Sequence, residues 1–173
     1  MLSSSYRSSP AEGTTVSQFL HASLEHVFDV TIFFGADRTV FGPLPGGQRQ
    51  GYTPPLRGTI SGPRLSGIVM PHSGADYATV RGDGVIELRA HYLLQAHDGT
   101  LIYIENRGYV VPASPGRARV NDQGHPQPEY FRCAPTFRVP EGPHAWLASA
   151  VIVGAGERRR DPDHSILRYY LVN

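Results

Sequence analysis

The sequence predicts an all-β protein: a single antiparallel up-and-down β-barrel with an internal pocket. Three observations carry that expectation. Segments in which apolar and polar residues alternate recur from Leu24 to Val172, the two-residue period of strands half-buried in a sheet. Nineteen glycines and fifteen prolines punctuate 173 residues, a turn content that argues against a helix bundle. Tight turns join the β-rich runs, Gly82-Asp83-Gly84 before Val85 and Asp98-Gly99 before Leu101. Eight to ten such strands fit a sandwich or a barrel. Long bent strands joined by hairpins close readily and leave no exposed edges, which favours the barrel.

The elements follow in order. Residues 16–26 hold the one segment with any helical character. Leu24, Phe28, Val30, Ile32 and Phe34 alternate with Glu25, Asp29 and Thr31, giving a strand over 24–34. A loop rich in Gly and Pro fills 42–55, and short strands follow near 58–61, 65–70 and 76–81. Val85 to Ala96 is the clearest strand, about 40 Å long at the usual rise. Leu101 to Arg107 returns from it. Pro112 to Pro128 holds no large apolar residue and reads as a surface loop or lid. Glu129 to Val139 alternates again, with Pro135 placing it at an edge or a bulge. Trp146 to Val153 is apolar on both faces, as in a fully buried strand, and Ser165 to Val172 closes the chain as a strand.

Composition narrows the function. Apolar residues make up 40% and the net charge is +1, so one globular domain is expected and a broad basic nucleic-acid surface is not. The flexible leader is expected over residues 1–20 and the barrel domain over 21–173. All sixteen basic residues are Arg, which removes a Schiff-base lysine and a P-loop lysine from consideration. Cys133 is the single cysteine, so there is no internal disulfide and no multi-cysteine zinc site. The eight histidines show no HxH, HxxxH or HExxH spacing, and no metal or other cofactor is expected. No signal-peptide core or membrane-length apolar run occurs, which makes a cytoplasmic protein without membrane partners the expectation. No GxSxG elbow or dinucleotide fingerprint opens a helix.

Several clusters carry possible chemistry. Glu87, Arg89 and His91 share one face of the long strand, an acid, a cation and an imidazole about 7 Å apart. That row is either a proton-transfer set in a pocket or a solvated outer face, and the outer face is the commoner meaning. Tyr130 and Arg132 share a face of their strand and together offer a fork and a hydroxyl for an oxyanion. An arginine tied to Asp83, Glu87 or Glu105 is the alternative. Tyr103 with Glu105 forms a similar pair. His144 and Trp146 share a face, with Trp146 either core or an aromatic wall for a ligand. Cys133 reads as a buried, inert thiol, and Arg158-Arg159-Arg160-Asp161 as a solvated charge run.

The ordered motifs resemble the domain-of-unknown-function-3237 family. They are Phe41-Gly42, GTISGPRLSG (58–67), SGADY (73–77), RGDGVIEL (81–88), HDGTLIYIENRG (97–108), EYFRCAPTF (129–137), HAWL (144–147) and VGAGER (153–158). The resemblance implies a barrel of the calycin and allene-oxide-cyclase type, commonly oligomeric, with an internal pocket and mostly unassigned activity. It also puts Asp76 in a family motif, as a general base or substrate anchor rather than a turn cap. This chain departs from the family at Arg89-Ala90-His91, where Asp-Ala-Arg is usual, at Tyr77 in place of Trp, and at Ala148 in place of Asn. Those changes imply a substrate other than the typical one.

The expected function is therefore that of a cofactor-independent enzyme of cyclase, isomerase, lyase or hydratase type. Its substrate is a small, partly apolar metabolite bearing a carbonyl or a phenol. Asp76 or His91 moves the proton, and Arg132 with Tyr103 or Tyr130 holds the oxyanion. Tyr77, Glu87, Arg89, Tyr130, His144 and Trp146 contact the substrate. The alternative is a carrier barrel with no chemistry, and in either case a homo-oligomer is the one protein partner expected.

Overall fold

The structure is a computed structural model that describes residues 21–173, so the expected leader lies outside the described residues. Twelve strands are formed: β1 (Leu24–Phe34), β2 (Thr39–Phe41), β3 (Arg49–Tyr52), β4 (Pro55–Ser61), β5 (Gly67–Val69) and β6 (Ala75–Asp76). The others are β7 (Thr79–Val80), β8 (Ile86–Ala96), β9 (Leu101–Val111), β10 (Tyr130–Arg138), β11 (Ile152–Arg159) and β12 (His164–Val172). All pairings are antiparallel, and β12 pairs with β1 from Val172↔Leu24 to His164↔Phe33 to shut the ring.

Eight strands form the closed barrel, in the order β1, β4, β5, β8, β9, β10, β11, β12. The short strands extend three of these positions. β5, β6 and β7 succeed one another along one edge of β8, opposite Ala96, Ala90 and Ile86 respectively. β3 precedes β4 and pairs with β7, while β2 follows β1 and pairs with β3. The meander is up-and-down throughout, as the alternating segments and tight turns predict.

The alternation also fixes which way each strand faces. On β8 the buried set is Ala90, Tyr92, Leu94 and Ala96, and on β9 it is Ile102, Ile104 and Asn106. Phe131, Cys133 and Phe137 point inward from β10, and Ser165, Leu167 and Tyr169 from β12. Side chains one residue out of step face the outside. Gly154 and Gly156 leave room on β11 for the side chains opposite them. A Cβ at Gly154 would stand 2.5 Å from Cys133 Sγ, and one at Gly156 would stand 2.4 Å from the Phe131 ring.

Two expectations need correction. Residues 146–149 do not start a buried strand; Ala145–Ser149 is a 3-10 helix, and the strand begins at Ile152. A short run apolar on both faces does not distinguish a buried strand from a helical turn that plugs a barrel end. Here Leu147 is buried and Trp146 packs against the core. Likewise, within residues 21–26 there is no helix, and β1 begins at Leu24. Pro135 does sit where an edge is tolerated, because the β10–β11 ladder pairs only Arg132 and Cys133.

Candidate functional site

The inside of the barrel is filled at one end and hollow at the other. At the filled end Phe28 meets Phe137 edge-on, with ring centres 6.2 Å apart, and lies 5.0 Å from Tyr169. Leu94, Ile102 and Ile152 complete this layer, and Leu147 covers it. The connection that carries Leu147 is fastened to the β8–β9 hairpin by buried His144, whose Nε2 lies 3.0 Å from Asp98 Oδ2. Trp146 lies beneath the Arg64 guanidinium at 4.0 Å. His144 and Trp146 therefore close the filled end and do not line the pocket.

At the other end small residues (Gly51, Thr53, Ala78, Ala90 and Ser165) leave a cavity of about 270 Å³. Its walls are otherwise apolar apart from Asp76, Tyr92, Asn106 and Arg158. A second, wider hollow of about 710 Å³ adjoins it beneath the 112–128 loop, sharing Ile86, Val110 and Arg158. That loop is tied down: Gln127 Nε2 donates to Arg158 O at 2.7 Å, and Arg158 N donates to Gln127 Oε1 at 3.0 Å. Asn121 Nδ2 adds a bond of 3.1 Å to Glu157 Oε1. The result is a lumen opening into a wider vestibule of mixed lining.

Local sequence explains how Asp76 reaches the lumen. Ser73 Oγ donates to Met70 O at 2.7 Å and accepts Leu93 N–H at 3.0 Å, anchoring the segment on β8. Gly74, at φ +158°, then passes so close to β8 that a Cβ there would stand 1.9 Å from His91 O. Asp76 lands opposite Ala90, and Ala90 lies opposite Asn106 across β9. Directly opposed residues face the same way, so Asp76, Ala90 and Asn106 form a cross-strand row inside the barrel. Two strand spacings separate the outer pair, about 10 Å between backbones.

The chemistry of that row follows from its burial. Loss of water pushes the Asp76 carboxyl up to about 6, opposed only by the Arg89 N–H, which donates to Oδ1 at 2.9 Å. Burial also raises the Tyr92 phenol well above its ordinary value, so it stays protonated, and nearby Asp76 adds to the effect. Burial pushes the Cys133 thiol up to about 11, which makes it a poor nucleophile. Asn106 Nδ2 donates to Tyr169 Oη at 3.0 Å. Arg158 Nη1 donates to Ser165 Oγ at 2.8 Å, and the other end of its guanidinium pairs with Asp163.

The remaining expected residues are outside. Glu87, Arg89, Tyr130 and Arg132 come together, but in an outer groove of about 900 Å³. Tyr77 is 41% exposed and stacks on His91 at 5.2 Å, and His91 faces Tyr103 at 6.4 Å. The placement of His91, Tyr103 and Arg132 inside the lumen is thus corrected: their strands turn the intervening residues inward. Arg158 corrects the reading of 158–161 as a solvated run, since Ile152, Gly154, Gly156 and Arg158 alternate onto the inner face. Tyr92, Asn106 and Arg158 are lumen residues the sequence reading missed. The available signal was a polar side chain in phase with an apolar face, as in Ile102, Ile104, Asn106 and Val110.

Comparison with known proteins fits this architecture. The family model described as a protein of unknown function, DUF3237, matches residues 22–172. The chain belongs to this family. It is 32% identical over 165 residues to a UPF0311 protein from Clostridium acetobutylicum, covering 91% of this chain and 99% of that one. A solved β-barrel-like protein from Acinetobacter baumannii superposes with a TM-score of 0.76 at 24% identity, over 88% of this chain and 97% of that one. An enzyme from Penicillium herquei gives 0.65 at 22% identity, over 88% and 95%. At those identities the two structures share the fold. Among the described residues no helix is long and apolar enough to cross a membrane.

Proposed function

We propose that the barrel is an enzyme needing no cofactor, which moves a proton on a small, partly apolar metabolite bearing a carbonyl or a phenol. The observation that carries this reading is Asp76, a carboxyl raised to about 6 inside an apolar lumen. A base with that affinity is ionised near neutrality and still holds a proton firmly enough to return it, the balance general acid–base catalysis needs. Asp76 takes a proton from a C–H or O–H of the bound substrate, and the electron pair moves toward the carbonyl oxygen. The protonated carboxyl then gives the proton back at another atom. The Tyr92 hydroxyl, kept protonated by burial, donates to the oxygen on which charge develops. The narrow lumen holds a flexible substrate in a reactive shape, which by itself assists ring closure.

Cyclisation, isomerisation and elimination or addition of water are all compatible with one proton-moving group. The Penicillium herquei enzyme shares the barrel, which supports catalysis as a use of this fold. The test is untargeted mass spectrometry of metabolite extracts incubated with the wild-type protein or with Asp76→Asn. Conversion of a compound to an isomer, or to a product differing by one water, only with the wild type supports the reading. Retention of a ligand by both proteins with no conversion by either establishes the carrier instead.

A further inference from the structure

We infer that the ligand of the lumen carries one carboxylate, held at the lumen mouth by Arg158 and Arg160 while its apolar body occupies the cavity. This rests on the lumen being the ligand site, and it adds the charge that the site selects.

Arg38, Arg158 and Arg160 line the vestibule together with two carboxylates, Asp161 and Asp163. Asp163 pairs with both Arg38 and Arg158, so one acid is shared between two guanidiniums. Arg160 gives its backbone N–H to His125 Nδ1 at 3.4 Å, while its exposed guanidinium has no ion pair among the described residues. Asp161, the next residue, pairs with no arginine among them either. Burial, then the charges of Arg38 and Arg160, pull the Arg158 guanidinium below its ordinary value, against the opposite pull of Asp163. It stays charged, and its neighbours compensate that charge only in part.

Arg158 is the member of this group that also lines the lumen, and its side chain is 33% exposed. Nη1 and Nη2 give one N–H each to Ser165 and Asp163, which leaves further donors on the guanidinium for a ligand. Three guanidiniums against two carboxylates leave one positive charge in excess. A ligand carboxylate neutralises it, whereas a phosphate dianion overcompensates. The lumen beyond Arg158 is apolar apart from Asp76, Tyr92 and Asn106, and ionised Asp76 repels an anion. A ligand with one carboxylate therefore enters apolar end first and keeps its charge at the mouth.

The experiment titrates 2-naphthoate, 2-naphthamide and 2-naphthyl phosphate against the full-length protein by calorimetry or fluorescence at about pH 7. At low ionic strength the wild type is expected to bind 2-naphthoate roughly tenfold tighter than 2-naphthamide, the scale of one charge-assisted hydrogen bond. Salt at about 1 M is expected to shrink that ratio. Arg160→Gln is expected to weaken 2-naphthoate about fivefold, with the 2-naphthamide affinity and the melting temperature unchanged. Ala90→Leu is expected to weaken both, because the ring loses its place in the lumen. Equal wild-type affinities for acid and amide, an undiminished ratio in Arg160→Gln, full 2-naphthoate affinity in Ala90→Leu, tighter binding of 2-naphthyl phosphate, or no saturable binding of any probe overturns the inference. Asp76→Asn is expected to keep the preference for the acid. That preference without any Asp76-dependent turnover therefore sinks the catalytic reading alone and leaves this one standing.

Discussion

The two ends of the barrel share the long strands β8 and β9 and have opposite interiors. Toward one end the inward positions carry Phe28, Leu94, Ile102, Phe137 and Ile152, with Leu147 set over them. Toward the other, Ala90 and Ser165 on long strands, Gly51 on β3 and Ala78 between β6 and β7 are all small, and the volume those residues leave is the cavity. β8 and β9 run through both ends in continuous register, while the short strands β3, β6 and β7 wall the hollow end only. Small side chains on those short strands and on the long ones make that end a container, and large ones make the other a core. The polar groups follow the same division: Asp76, Asn106 and Arg158 all line the hollow half, where a ligand can meet them.

The largest expected effect breaks the comparison at its chemical point. Asp76→Asn keeps an acceptor for the Arg89 N–H and removes the proton carrier, so kcat/KM is expected to fall by about 10²–10⁴. Steady-state kinetics on the converted metabolite measure it. In the wild type the same rate is expected to rise with pH and level off above about 6, as the carboxyl ionises.

Next come substitutions that exchange the characters of the two ends. Phe137→Ala opens a void in the solid half, and a loss of about 3–5 kcal/mol is expected in denaturant unfolding. Ala90→Leu adds volume to the hollow half, where room exists, so the cost is expected to stay below the roughly 1–3 kcal/mol of overpacking in a filled core. The same variant is expected to abolish ligand binding. A loss at Ala90 as large as that at Phe137 would show that the hollow end is packed after all.

Burial of Asp76 also has a thermodynamic signature. Its folded-state value of about 6 lies above the ordinary 3.8, so the folded protein holds this proton more tightly than the unfolded chain. Stability from this group is therefore complete below about pH 4 and is lost as pH rises through 6, by up to about 3 kcal/mol. Subtracting the Asp76→Asn unfolding curve from the wild-type curve between pH 4 and 7 isolates the effect. A flat difference would place the carboxyl in water.

Much of this fold was legible in the sequence because its signals are local. Period-two alternation in 24–34 and 85–96, and turns at 82–84 and 98–99, are written in neighbouring residues. Pocket membership is not local. The polar set Glu87, Arg89 and His91 and the apolar set Ala90, Tyr92 and Leu94 lie on the same strand, and either could have faced a lumen until the ring closed. Asp76 was found through the family motif around it. Asn106 was missed because a single polar residue in an apolar row looks like ordinary noise, and its meaning depends on Asp76 and Ala90 standing opposite. Trp146 misled because a helical plug and a buried strand both demand apolar residues all round.

The smallest expected effect concerns two arginines at the same two-residue phase but on opposite surfaces. Arg132 lies on the outer face of β10, with Nη1 donating to Phe131 O at 2.8 Å and the guanidinium 5.5 Å from the Tyr130 ring. Both contacts are with residues one and two positions back on its own strand. Arg158 lies on the inner face of β11, bonded to Ser165 and Asp163 and set 5.0 Å over the Phe34 ring. Removing its charge leaves Asp163 with Arg38 as its remaining arginine and takes the donor from Ser165 Oγ, so Arg158→Gln is expected to cost about 1–2 kcal/mol and to weaken binding. Arg132→Gln is expected to change stability by no more than about 0.5 kcal/mol, as for an exposed side chain, and turnover by less than about twofold. If Arg132→Gln instead matched Asp76→Asn in lost turnover, the outer groove would hold the reaction and the hollow end would lose its claim to it.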